Sequence, residues 1–218
     1  MRPSRPTPTI SEPAPKSGPA AKVVALSVQS EDDGEFVREV ARQQPAAVAE
    51  LFDRYAGLVR RTLARVLGST VDIDDLTQDT FITVVRRVHT LRDPLALRSF
   101  VVSVAIRTAR NELRKRALRR FVGLDEAVHV PVVGPLDASL VEGVRHVYDA
   151  LNRLSTDARL AFVLRHVEGY ELAETATACG CSLATIKRRL AKAEARFEAI
   201  AKSDPTLRDF LEQAQGAS

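Results

Sequence analysis

The stretch Glu171–Phe197, ELAETATACGCSLATIKRRLAKAEARF, decides how the C-terminal half of the chain is read. Its helical pattern predicts a short helix around 171–178, a tight turn at Cys179-Gly180-Cys181, and a second helix from Ser182 to about Ala201. Gly180 lacks a Cβ and so admits the left-handed backbone that a sharp turn requires. Ser182 is a good N-cap, because its hydroxyl can accept a hydrogen bond from an orphan backbone N–H. The apolar residues Leu172, Ala176, Leu183, Ile186 and Leu190 are expected to close the angle between the two helices. The outward face of the second helix carries Lys187, Arg188, Arg189 and Lys192, with the small or polar Ser182, Ala184 and Thr185 at its start. That arrangement suits a helix-turn-helix whose second helix meets base edges with its first residues and phosphates with its cations. The bland alternative is a solvated amphipathic helix whose cations only keep it soluble.

Upstream of that unit the pattern is helical as well. A first stretch begins near Phe36 and should break near Gln43–Gln44, because Pro45 favours the first turn of a new helix. That second helix runs to Leu67 and is closed by Gly68-Ser69-Thr70. Asp72 or Asp74 can cap a third through Val88, and Asp93-Pro94 starts a long one reaching about Arg120. Between Phe121 and Asp137, Gly123, Pro131, Gly134 and Pro135 interrupt a Val-rich run, which reads as a linker. Helices over Ala138–Leu151 and Thr156–Val167 follow, the latter capped by Ser155, and Asp204-Pro205 opens a last short one. The expected architecture is therefore all-α, with two small helical domains on a flexible linker.

The domain boundaries expected are a disordered Pro-rich tail over 1–30, a first helical domain over 31–120, a linker over 121–137, a helix-turn-helix domain over 138–203, and a short C-terminal helix and tail over 204–218. The tail holds six of the chain's eleven prolines and little apolar surface to bury.

Composition narrows the function classes. The 218 residues carry 32 Lys and Arg against 28 Asp and Glu, a net charge of +4, so charge matters chiefly where it is concentrated. No apolar run approaches the ~20 residues of a membrane span, and the N-terminus lacks the apolar core of a signal peptide, so a cytoplasmic protein is expected. Two cysteines cannot build a disulfide framework. One residue between them is too tight for a zinc clip, and no second Cys or His pair has finger spacing, so neither metal nor cofactor is expected. No catalytic constellation is visible, so an enzyme is not expected.

Two stretches of the first domain stand out. In Asp72-Ile-Asp-Asp75-Leu-Thr-Gln78-Asp79-Thr-Phe81, the residues Asp75, Gln78 and Asp79 share one helical face. Metal binding, acid–base chemistry, a plain acidic surface and a docking face for a basic partner all fit that cluster. Along the Phe100–Arg120 helix, Val102, Ile106, Ala109 and Leu113 form a buried stripe. Phe100, Ser103, Arg107, Arg110, Asn111 and Arg114 are expected on the opposite side, and Lys115, Arg116, Arg119 and Arg120 extend the charge. A face that combines an aromatic ring with cations and amides can follow a phosphate backbone and stack an unpaired base.

Together the two halves resemble the bacterial RNA polymerase sigma factors of the small, two-domain extracytoplasmic-function (ECF) type. Residues 35–120 are similar to sigma region 2 and 138–201 to region 4. The run Asp74–Phe81 is similar to the family's D-L-x-Q-(E/D)-x-F helix. The runs Leu154-Ser-Thr-Asp-Ala-Arg159 and Ser182–Leu190 are similar to its region 4 pattern. The resemblance implies that Asp72, Asp75, Gln78, Asp79 and Phe81 dock on the polymerase. It implies that Phe100, Ser103, Arg107, Arg110, Asn111, Arg114 and Lys115 read and melt the −10 element. It further implies that Ser182, Ala184, Thr185, Lys187, Arg188, Arg189 and Lys192 read the −35 element. The partners implied are core RNA polymerase and promoter DNA, with an anti-sigma protein as a third; the protein would be a monomer in the holoenzyme, without membrane insertion. The sequence departs from the family where Phe100 stands for its usual Trp, Ser103 near its usual Arg, Asn111 for a frequent Asp, and Ser155 for the proline after Leu154. A self-standing dimeric helix-turn-helix regulator is the alternative; it leaves the acidic face and the Phe100–Arg120 helix without a role.

Overall fold

The computed structural model describes residues 33–68, 72–122 and 138–216, and all regular structure among them is helical. The expected 1–30 tail, most of the linker and its Val-rich run lie outside the described residues. Helix α1 spans 33–41, and Gln43 after it, with φ 57°, turns the chain so that Pro45 can open α2 (Pro45–Leu67). Asp72 caps α3 (Ile73–Arg87): its Oδ1 accepts from the backbone N–H of Asp74 at 3.0 Å and of Asp75 at 3.2 Å. Two short 3₁₀ turns follow, the second opened by Asp93, and lead into α4 (Leu97–Phe121).

Helices α2, α3 and α4 pack on one another, and Phe36, Val37 and Val40 of α1 join their core. Leu51, Val59, Leu63 and Val66 share the buried face of α2 and join Val84 of α3 and Ile106, Ala109 and Leu113 of α4 in one core. Burying each of the larger of these side chains contributes roughly 1.5–3 kcal/mol.

The second unit contains α5 (Ala138–Asn152), α6 (Thr156–Phe162), α7 (Leu172–Cys179), α8 (Leu183–Ser203) and α9 (Pro205–Gly216). After Phe162 the chain widens into a π-helical turn over Val163–Val167, where the Glu168 N–H reaches back five residues to the Val163 carbonyl at 3.0 Å. Ser155 stands before α6 as expected, yet its side chain makes no capping bond. Leu160, Leu164, Ile186, Leu190 and Leu207 build this core, so α9 packs with residues 138–203 instead of trailing from them. Gly143 is required there: a Cβ would lie 2.1 Å from the Phe210 ring of α9.

The two units touch, which the sequence did not suggest. Helix α4 lies against α6 and α7, and the C-terminal end of α2 is the socket of the seam. The last carbonyls of a helix have no partner within it. Here the Gly68 N–H and the Tyr148 hydroxyl donate to the Ala64 carbonyl, the Arg159 Nε donates to Val66 at 2.8 Å, and the Arg116 Nη1 donates to Leu67 at 2.8 Å. Arg159 and Tyr148 belong to the second unit. Gly68 has φ 68°, and a Cβ there would also come within 3.1 Å of the Tyr148 ring.

Candidate nucleic-acid interface and acidic face

The α7–turn–α8 unit follows the local rules. The Glu171 N–H donates to the Glu174 carboxylate at 2.8 Å, which secures the start of α7. Gly180 sits at φ 63°, ψ 42°, and the Cys181 and Gly180 N–H groups return to the carbonyls of Ala176 and Thr177 at 3.0 Å each, closing a Schellman turn. The Ser182 Oγ then accepts from the Thr185 N–H at 3.2 Å. Ala176, Ile186 and Leu190 are buried at the angle and Leu172 is half-buried, whereas Leu183 is 45% exposed and takes no part in closing it. Cys179 is a core residue, and burial pushes its thiol up to about 11, so it stays protonated and inert.

On α8, Ser182, Ala184, Lys187, Arg188 and Lys192 are exposed and Thr185 is half-buried. Arg189 differs. Its Nη2 donates to Asp157 Oδ2 at 2.7 Å, at the start of α6.

Helix α4 carries the expected stripe of Val102, Ile106, Ala109 and Leu113, but burial extends further, to Val101, Val104 and Ala105. The reason is that α4 is covered on two sides, by α2 and α3 and by α6 and α7. The face predicted to be open is therefore divided. Arg107, Asn111, Arg114 and Lys115 are exposed. Phe100 is half-buried against the core, and the Ser103 hydroxyl donates to the Ser99 carbonyl at 2.8 Å. Arg110 turns into the seam: its Nη2 donates to the Cys179 carbonyl at 2.9 Å and its Nε lies 3.1 Å from Asp157 Oδ1. Arg116 turns inward to α2, and Arg119 pairs with the buried Glu112 at 2.9 Å. The helix runs on through Phe121, which is 88% exposed.

On α3, Asp72, Asp75, Gln78 and Asp79 are exposed together, and Asp74 beside them bonds Arg60 of α2 at 2.9 Å. Phe81, grouped with that face in the sequence, points the other way: it is 7% exposed and its ring centroid lies 4.8 Å from that of Phe52. Its contribution is to seat the helix that presents the carboxylates. Exposed Ile82 adds an apolar contact to the outer surface of α3, and Val48, Ala49, Phe52 and Val85 help line a shallow cleft of about 610 Å³ between α2 and α3. Sequence reasoning missed Ile82 because it looked for charge. It missed Asp157 because nothing in the sequence ties that residue to Arg110 and Arg189.

Among the described residues no helix is long and apolar enough to cross a membrane, and no three His, Cys, Asp or Glu side chains gather as a metal site would need.

Comparison with known proteins adds to this geometry. The family model for Sigma-70 region 2 matches residues 51–119, which run from α2 into α4, and that for Sigma-70, region 4 matches residues 145–197, from α5 into α8. The chain is 31% identical over 149 residues to the ferric citrate uptake sigma factor FecI of Escherichia coli (strain K12), a match covering 66% of this chain and 84% of that protein. It is 27% identical over 192 residues to the RNA polymerase sigma-H factor of Pseudomonas aeruginosa, covering 82% and 97% respectively. The fold is similar to that of CnrH, solved in complex with the cytosolic domain of CnrY, with a TM-score of 0.55 at 21% identity over 79% of this chain and 98% of that one. It is also similar to that of the sigma factor RpoE in complex with the anti-sigma factor NepR from Bartonella quintana, with a TM-score of 0.53 at 24% identity over 72% and 97%.

Proposed function

Because the chain belongs to the RNA polymerase sigma factors of the extracytoplasmic-function type, we propose a division of labour among its three exposed faces. As a sigma factor it binds core RNA polymerase, directs it to specific promoters and helps melt the −10 element to begin transcription. In our reading the α3 face of Asp72, Asp75, Gln78 and Asp79 docks on the polymerase, where exposed carboxylates meet basic side chains. Arg107, Asn111, Arg114 and Lys115 of α4 hold the −10 strand by its phosphates, and Phe100 and Ser103 border the site of an unstacked base. Unstacking a base costs a few kcal/mol, which aromatic and cationic contacts offset. The start of α8 reads the −35 element with Ser182, Ala184 and Thr185, while Lys187, Arg188 and Lys192 contact phosphates. Such a factor acts in the cytoplasm, makes and breaks no covalent bond itself, and admits an anti-sigma protein that covers either nucleic-acid face as a third partner.

The observation that carries this reading is that one chain presents, in order, an exposed carboxylate face, a cationic helix beside it and the α7–turn–α8 unit. A dimeric regulator would use only the last. The test is binding of the full chain to core RNA polymerase. Nanomolar binding is expected, lost in the double variant Asp75→Lys/Gln78→Ala. Absence of wild-type binding overturns the polymerase role, and undiminished binding by the variant overturns the α3 assignment alone.

A further inference from the structure

The outward surface of the first turn of α8 is apolar. Ser182 and Thr185 are turned on each other: the Ser182 Oγ accepts from the Thr185 N–H at 3.2 Å, and the two hydroxyl oxygens lie 2.9 Å apart. Thr185 is also half-buried. Both hydroxyls are engaged in closing the start of the helix, so the side chains that the turn offers outward are Leu183 and Ala184. Leu183 is 45% exposed, whereas the other large apolar residues of α7 and α8, Leu172, Ile186, Leu190, Phe197 and Ile200, are buried or half-buried. A lone exposed leucine is common on any protein surface. This one adjoins the cations: four-residue spacing stacks Leu183 on Lys187 and Ala184 on Arg188, both exposed. The outer surface of α8 thus passes within one turn from methyl groups to positive charge.

We propose that Leu183, with the Ala184 methyl beside it, selects thymine at one position of the −35 element by covering the C5-methyl group in the major groove. The inference rests on the proposed placement of α8 in that groove and deepens it. The methyl group is what marks thymine there, among base edges made of hydrogen-bond donors and acceptors. Against adenine, guanine or cytosine an isobutyl side chain strips water from polar atoms and returns no hydrogen bond. Against thymine it gains a buried methyl group. Lys187 and Arg188, one turn along, reach the phosphates that fix the helix where the leucine meets the base edge. An apolar contact displaces no counterions, so the preference for thymine is independent of salt, unlike the affinity that Lys187 supplies.

The test uses the full chain, with and without core RNA polymerase, and a pool of duplexes of random sequence. Wild type is expected to enrich thymine at a position that Leu183→Ala leaves degenerate and Leu183→Met retains. In the selected duplex, replacing that thymine by deoxyuridine removes the methyl group alone. Wild-type affinity should then fall about fourfold, the worth of one buried methyl group, at low and high salt alike. Leu183→Ala should be indifferent to the replacement and bind the thymine duplex as wild type binds the deoxyuridine one. Leu140→Ala, which removes an equally exposed leucine from α5, should behave as wild type. Identical preferences in wild type and Leu183→Ala would overturn the proposal, as would an equal loss to deoxyuridine in both. So would wild-type indifference to deoxyuridine at every thymine of the selected duplex. Lys187→Ala separates this failure from that of the underlying reading. If it weakens binding across all sequences while Leu183→Ala changes nothing, α8 lies on the duplex and the leucine assignment alone falls. If neither variant has an effect, the placement of α8 falls with it.

Discussion

Helices α4 and α8 are both long and rich in cations, and they orient them differently. On α4, Arg110 and Arg116 point into the molecule and Arg119 is held by Glu112, which leaves Arg98, Arg107, Arg114, Lys115 and Arg120 toward solvent. On α8, Lys187, Arg188 and Lys192 face solvent, Arg189 turns to the Asp157 carboxylate of α6, and Lys202 pairs with Glu198 of its own helix. The difference follows from coverage. Helix α4 is packed on two sides, so part of its charge must satisfy buried acceptors, while Lys187, Arg188 and Lys192 of α8 stay exposed among the described residues. Counting basic residues along a helix therefore overstates what it can offer a polyanion. The useful number is what remains after the internal carbonyls and carboxylates are served.

That contrast can be broken by substitution. The largest effect is expected inside α4, where Arg116→Met strands the Leu67 carbonyl and weakens the pairing of buried Glu112. A loss of about 2 kcal/mol is expected, against less than about 0.5 kcal/mol for Arg114→Met two residues away. Urea unfolding of the two variants decides the matter; equal midpoints would mean that the inward and outward arginines are not energetically distinct. Next, Arg114→Ala should weaken open-complex formation by roughly tenfold, the scale of ~1–3 kcal/mol for one strong nucleic-acid contact. Unchanged promoter opening would remove the outer face of α4 from the −10 element. On α8, Lys187→Ala should lower duplex affinity only a few-fold and reduce the slope of log K against log salt by about one. An unaltered slope would exclude Lys187 from the phosphate contacts.

The smallest effect concerns how the two units are fastened. The seam between them uses the guanidinium of Arg159, whose pKa burial lowers only to about 10. The second unit has a titratable tie between α5 and α9: His146 Nδ1 lies 2.6 Å from Asp204 Oδ2, and His146 Nε2 lies 3.2 Å from Glu142. The bond to Asp204 holds the His146 pKa above the usual imidazole value, and the same bond holds that of Asp204 below the usual carboxylate value. A raised histidine contributes stability that is complete below about pH 6.5 and lost as pH rises through its folded value. A lowered aspartate contributes stability that is complete above about pH 4 and lost as pH falls through its folded value. The tie is thus fullest between those limits. The difference in melting temperature between wild type and His146→Gln should peak there and shrink on the alkaline side; a pH-independent difference would show that the pair does not titrate with folding.

How much of this was legible in the sequence depended on range. Caps and turns are decided by a few neighbouring residues, so Pro45, Asp72, Asp93, Gly180 and Ser182 marked helix boundaries to within a residue or two. Helical periodicity also picked out the buried stripe of α4. It could not reveal the second buried side, because a helix covered twice loses the contrast between faces on which the method depends. Phe81 was misplaced for a related reason: a motif fixes residue types without saying which of them the helix turns inward. The placements of Arg110, Arg159 and Asp157 lay beyond reach, since each depends on partners many residues away. A buried arginine looks like any other in composition, and the Val66 carbonyl at the end of α2, together with Asn152 Oδ1, explains why Arg159 can be 2% exposed.

Those carbonyls give the molecule a built-in gauge. The final turn of α2 is completed by Tyr148 and Arg159, which belong to the other unit. When the units part, that turn loses two of its outside donors at once and must rely on water, so its amides fray and trade their protons with solvent far sooner. Deuterium uptake at residues 64–68 therefore reads the distance between two domains from a single turn of one helix, with no label attached to either.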